Sequence, residues 1–156
     1  MADIEIKWSP ELMAGDDLLS PPDLSGAHEL VSAVAISLFT HRTALDDDPL
    51  PGGPGSSRRG WWADHEAAEL YPGAPPIGSR LWLLSREKQT EETRLRAEDY
   101  IREALAWMLD ERLATEIELD VAWFAPERLG AAVTIYRGPQ KSIAVRFEQL
   151  WDRIES

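Results

Sequence analysis

Near residue 113 the hydrophobic period of this chain changes from helical to alternating, and that change constrains most of what its second half can fold into. From Thr90 to about Leu109–Arg112, apolar residues recur at helical spacing, with Ala97, Ile101, Ala104, Leu105 and Met108 on one stripe. Thr90 offers an N-cap hydroxyl, and Glu91 and Glu92 follow in the first turn, where the helix dipole favours anions. Arg94–Glu98 and Glu98–Arg102 are i,i+4 pairs, each contributing about 0.2–0.5 kcal/mol. From Glu116 to Trp123 the period is two: Ile117, Leu119, Val121 and Trp123 share an inner face, and Glu116, Glu118 and Asp120 face water. Pro126 and Gly130 bracket a turn, and a partner strand over residues 131–136 sets Val133 and Ile135 on one face. The tail carries two patterns: Ile143, Val145 and Phe147 alternate as a strand does, whereas Phe147, Leu150, Trp151 and Ile154 have helical spacing.

The first half is less regular. Residues 3–8 alternate, with Ile4, Ile6 and Trp8 on one face of a short strand, and residues 9–26 read as a loop with room for a return strand at Asp17-Leu18-Leu19. Between Ala27 and Ala44, Leu30, Val34 and Leu38 fall at helical spacing behind an N-cap at Ser25, although the β-branched middle also fits a buried strand. Residues 46–57, DDDPLPGGPGSS, cannot hold a helix or a central strand and read as an exposed, mobile loop. The expected architecture is α+β, in one domain spanning residues 1–156. A small antiparallel sheet, made of the N-terminal strand plus a C-terminal hairpin or three strands, packs against two main helices.

Composition removes several functions. The chain has 156 residues, enough to bury roughly 70% of its unfolded surface without a staple. It has no cysteine, so disulfides, thiolate nucleophiles and Cys-based metal sites are excluded. A net charge of −12, with no basic stripe to reverse it locally, argues against nucleic acid and anionic membranes as partners. No apolar run approaches the roughly 20 residues of a membrane span. The bases are 13 Arg and 3 Lys, which suits interfaces because guanidinium forks and stacks, and equally suits a GC-rich genome.

Candidate chemistry is thin. Asp46, Asp47 and Asp48, with His41 and His65 near in sequence, lack calcium-loop spacing and read as a solvated run. Gly78-Ser79-Arg80 has no His/Asp frame, and Gly52–Ser57 lacks the P-loop lysine. Asp110, Glu111, Glu116 and Glu118 offer carboxylates of the kind glycoside hydrolysis needs, but with 28 acids in the chain such spacings arise by chance. No enzyme activity, small-molecule substrate, cofactor or metal is expected. A lysozyme-like glycosidase and an acidic metal-binding module are the alternatives. The stretch from Arg58 to Thr93 is instead rich in docking residues: Trp61, Trp62, Arg80 and Trp82 read as anchors of this loop or of a partner.

Four segments, Phe39-Thr40-His41-Arg42, Arg59-Gly60-Trp61-Trp62, Gly78–Leu84 and Thr90–Glu92, carry a specific resemblance. Together they resemble the Mu-like phage baseplate family, small wedge proteins of contractile tails, over roughly His28 to Val133. That family looks related to sheath-initiating wedge proteins, some of them labelled lysozyme-like, which also occur in type VI secretion baseplates. These carry Glu-Pro-Arg where a helix hands over to a strand. Asp110-Glu111-Arg112 stands at that junction here, with Glu111 in place of the proline. The resemblance implies a structural protein of a virion tail baseplate or tail-like particle, held in the host cytoplasm before assembly. It implies partners among other wedge proteins and the sheath, with Asp110, Glu111 and Arg112 among the binding residues.

Overall fold

The computed structural model describes residues 6–9, 14–17, 24–58, 60, 66, 69–73, 76–138, 140–148, 150 and 154, with backbone alone for 6–9, 14–17, 24–28 and 140–142. Strands β1 (Ile6–Ser9) and β2 (Ala14–Asp17) pair antiparallel in a two-stranded sheet of their own. Helix α1 (Leu24–Phe39) follows, then a long irregular stretch, a single 3-10 turn η1 (Leu81–Leu84), and helix α2 (Glu91–Asp110). Strands β3 (Glu116–Ala125), β4 (Arg128–Arg137) and β5 (Gln140–Phe147) form an antiparallel sheet in chain order. The chain is thus α+β, with two main helices among the described residues.

The periodic segments fold as their spacing requires. Thr90 is the N-cap of α2 and accepts the Thr93 N–H at 3.2 Å. Arg94 lies against Glu91 at 2.6 Å, and this hydrogen bond holds the Glu91 carboxyl below the usual range. The apolar stripe of α2 is sealed against Leu30, Val34 and Leu38 of α1 and Val121, Leu129, Val133 and Ile135 of the sheet. Across the sheet Leu119 pairs with Val133 and Ile117 with Ile135, which keeps the acidic residues of β3 on the outer face. Ser37 touches Trp107 and Arg42 touches Glu103, so the two helices run antiparallel.

Several boundaries differ from expectation. Helix α1 begins at Leu24, which places Ser25 inside it rather than at its cap, and it ends at Phe39, not Ala44. It stops there because the next residues are recruited elsewhere: Thr40 accepts the Ser79 N–H at 2.9 Å, and Arg42 donates its N–H to the Ser79 carbonyl at 3.0 Å. The return strand lies at Ala14–Asp17, slightly before the predicted Asp17–Leu19, and the N-terminal strand joins this hairpin rather than the C-terminal sheet. The turn after β3 is Pro126-Glu127, with Glu127 at φ 60°, the arrangement of a type II turn. Gly130 lies inside β4 instead, where a Cβ would press on the Phe124 ring at 3.1 Å. The tail uses both of its patterns in succession: β5 ends at Phe147, and Leu150 and Ile154 are buried with helical backbone. Ile4, Leu18, Leu19 and Trp151 lie outside the described residues.

The crossing of Thr40–Arg42 and Gly78–Ser79 is tight. Gly78 has φ 99°, and a Cβ there would collide with the Thr40 carbonyl. Gly78→Ala should therefore lower stability by about 2 kcal/mol or more, a fall in Tm of about 4–8 °C, in thermal unfolding monitored by circular dichroism.

Candidate partner-binding surface

Two arginines build the irregular half of the molecule. The Arg80 guanidinium forks to both carboxylates it can reach: Nη1 to Asp48 at 2.8 Å and Nη2 to Glu103 at 2.6 Å, with its plane 4.8 Å from the Tyr100 ring centre. Arg42 takes the other Glu103 oxygen at 2.7 Å, donates Nε to the Gly78 carbonyl and Nη2 to the Pro76 carbonyl. The two side chains are 14% and 13% exposed, and that of Asp48 10%. Burial works against the Arg80 charge, but hydrogen bonds and charge from Glu103 and Asp48 outweigh it, so its pKa is raised above the ordinary guanidinium value.

This bracket sorts the expected anchors. Trp82 is buried, and its indole N–H donates to the Arg42 carbonyl at 2.8 Å. Arg80 is occupied as described. Of the two roles expected for these residues, both serve as braces of their own loop, because each polar group is already spent inside the fold. Trp61 and Trp62 lie outside the described residues, as does His65. The acidic run is not uniform either. Asp48 turns inward to Arg80 and accepts the Leu45 N–H, whereas Asp46 is fully exposed, 3.9 Å from Arg58. Among the described residues, no group of three or more His, Asp or Glu is placed to hold a metal ion.

The remaining predicted residues are on the surface. Helix α2 ends in a Schellman motif: the Leu113 N–H reaches the Met108 carbonyl at 2.9 Å and the Arg112 N–H reaches Leu109 at 3.1 Å. This motif needs a left-handed residue, a position that favours glycine, and Arg112 supplies it at φ 59°. Asp110, Glu111 and Arg112 are all exposed. Glu116, Glu118 and Asp120 are exposed too, along the outer face of β3, with the Tyr136 hydroxyl 3.1 Å from Glu118. That hydrogen bond raises the Tyr136 pKa. The edge of β3 is engaged at its middle, where Arg94 donates to the Val121 carbonyl at 2.9 Å. No helix among the described residues is long and apolar enough to cross a membrane.

The profile of the family described as "Phage protein GP46" matches residues 30–142, the span that holds the last ten residues of α1, the arginine bracket, α2 and its end, β3 and β4. The chain belongs to this family of Mu-like phage baseplate proteins. It is 46% identical over 108 residues to baseplate protein gp46 of Escherichia phage Mu, covering 69% of this chain and 68% of that one. It is 33% identical over 119 residues to Mu-like prophage FluMu protein gp46 of Haemophilus influenzae, covering 76% and 75%. No solved structure matches the chain. The bracket and the end of α2 both lie within the family span, whereas the β1–β2 hairpin lies outside it.

The bracket yields a sharp contrast between neighbours in sequence. Arg80→Lys should cost about 2–3 kcal/mol, because an ammonium cannot fork to two carboxylates and leaves part-buried charge unpaired. Asp48→Asn should cost about 1–2 kcal/mol, while Asp46→Asn should stay within about 0.5 kcal/mol. Urea denaturation of the three variants measures the difference.

Proposed function

We propose that this protein is a wedge component of a contractile-tail baseplate, that it docks neighbouring wedge subunits through Asp110, Glu111 and Arg112, and that it helps sheath assembly. The docking reading is carried by the end of α2. Three charged side chains project from one rigid turn, and none of them makes a hydrogen bond or ion pair among the described residues. Arg112 also holds a left-handed conformation that costs a non-glycine residue about 1–2 kcal/mol. A side chain kept there at that cost is explained by what it contacts outside the chain. Guanidinium and carboxylate on one turn give charge-assisted, directional contacts with a partner of matching pattern.

The exposed first half of β3 offers a second mode, addition of a strand from a neighbour alongside Glu116–Asp120. It supports the sheath-assembly part of the reading. The protein's work is structural, performed in the virion tail or tail-like particle after synthesis in the host cytoplasm.

Double substitution Asp110→Ala with Arg112→Ala should abolish co-purification with the adjacent wedge subunits while leaving the circular dichroism spectrum and Tm near those of the parent. Retained co-purification with an intact fold removes the junction from the docking surface. Arg112→Gly separates cost from role. Relief of the left-handed strain exceeds the added chain entropy of glycine, so stability should rise by about 0.5–1 kcal/mol while wedge binding falls.

A further inference from the structure

A second surface feature has no role in the docking reading above. Ala33, Ile36 and Ser37 of α1, Trp107 of α2, and Pro76 and Ile77 line an open groove of about 330 Å³. Ile36 is 58% exposed and Ile77 42%. The indole N–H of Trp107 is spent on the Ser37 hydroxyl at 3.0 Å, and that hydroxyl donates to the Ala33 carbonyl at 2.7 Å. The ring is therefore pinned, with its polar atom satisfied, and it presents apolar surface to the groove. Arg42 fixes the third wall by holding the Pro76 carbonyl at 3.0 Å.

The exposed charges beside the groove are mainly acidic. On α1, Glu29 lies on the same face as Ala33 and Ile36, one turn before the first and two before the second. On α2, Asp110 and Glu111 stand three and four residues beyond Trp107. These three exposed acids stand about one helical turn from groove-lining residues, Glu29 from Ala33 and Asp110 and Glu111 from Trp107. The last turn of α2 holds no basic residue, so Asp110 and Glu111 sit at the negative end of a helix dipole without a cation in that turn. Arg112 follows directly and offsets one of these charges, so with Glu29 the acids leave a net negative charge that a cationic partner complements.

We infer that the groove receives an amphipathic α-helix of a partner protein, with apolar side chains seated over Ile36, Ile77 and Trp107 and Lys or Arg side chains beside Glu29, Asp110 and Glu111. The walls are two fixed helices and a braced loop, so a helix binds without reordering them. A second copy of this chain is a poor occupant, because its net charge of −12 opposes these acids. The inference shares Asp110 and Glu111 with the docking reading and rests on it for the setting of a multi-subunit particle. The apolar seat is separate from it.

The probe is a fluorescein-labelled 14-residue Leu/Lys peptide, with Leu at i, i+3, i+4 and i+7, followed by fluorescence anisotropy, and a Leu/Glu peptide of the same pattern. The Leu/Lys peptide should bind, should shift the Trp107 indole resonance in an ¹H–¹⁵N spectrum (assigned with Trp107→Phe), and should bind at least tenfold more weakly to Ile36→Ser. The triple change Glu29→Lys, Asp110→Lys, Glu111→Lys should weaken it further and admit the Leu/Glu peptide. Binding that is unchanged by Ile36→Ser and vanishes in 0.5 M salt is charge attraction alone and overturns the proposal. A fall in the protein's own solution mass on Ile36→Ser, by light scattering, identifies the occupant as a second copy and also overturns it. Wedge co-purification lost in the Asp110→Ala, Arg112→Ala variant but intact in Ile36→Ser sinks the groove and leaves the junction standing. The converse result sinks the junction and leaves the groove.

Discussion

The fork of Arg80 between Asp48 and Glu103 is the interaction on which the rest of this structure depends. Without it, the stretch between α1 and α2 has little regular backbone hydrogen bonding to hold it. A buried ion pair contributes little net stability, because desolvation of both charges offsets their attraction. Its value here is geometric. A planar guanidinium stacked on Tyr100 fixes the direction of two carboxylates at once, and one of those carboxylates also fixes Arg42. Arg42 then holds the Pro76 and Gly78 carbonyls, and its own carbonyl accepts from Trp82. One ionic cluster thereby orders two separate loops against one face of α2.

The two surface features are held in place by different means. The outward-facing junction at the end of α2 is set by a backbone motif, and the groove wall at Pro76–Ile77 is set by Arg42. Neither relies on a mobile loop closing over a partner. A partner bound at either proposed surface would then lose little conformational entropy, as the proposed docking requires. The tryptophans divide too: Trp82 is interior, and Trp107 is half-buried with its N–H committed to Ser37.

Legibility in the sequence followed the range of the forces. Helix α2, its Thr90 cap and the alternation of β3 were readable because each rests on spacing within a few residues. The ion-pair hub was not, because its partners lie 61, 32 and 23 residues apart and no local pattern marks them. Asp48 looked like its two neighbours, yet it alone turns inward. The run Leu81-Trp82-Leu83-Leu84 does carry a local signal for burial: four apolar residues without alternation expose no face, and all four are interior. The end of helix α1 is not marked locally because it is decided elsewhere: Thr40 is claimed by Ser79, almost forty residues later.

The guanidinium of Arg94 on the Val121 carbonyl has a consequence for life before assembly. An unguarded strand border invites identical molecules to stack into ribbons, and a component made in many copies at once is especially prone to this. Here the border of β3 is stoppered halfway along, so its longest uninterrupted run is the five residues from Glu116 to Asp120, and their outward carboxylates repel a like-charged twin. Polymerisation of the chain with itself is thereby discouraged, while a short foreign strand of opposite charge still finds a berth.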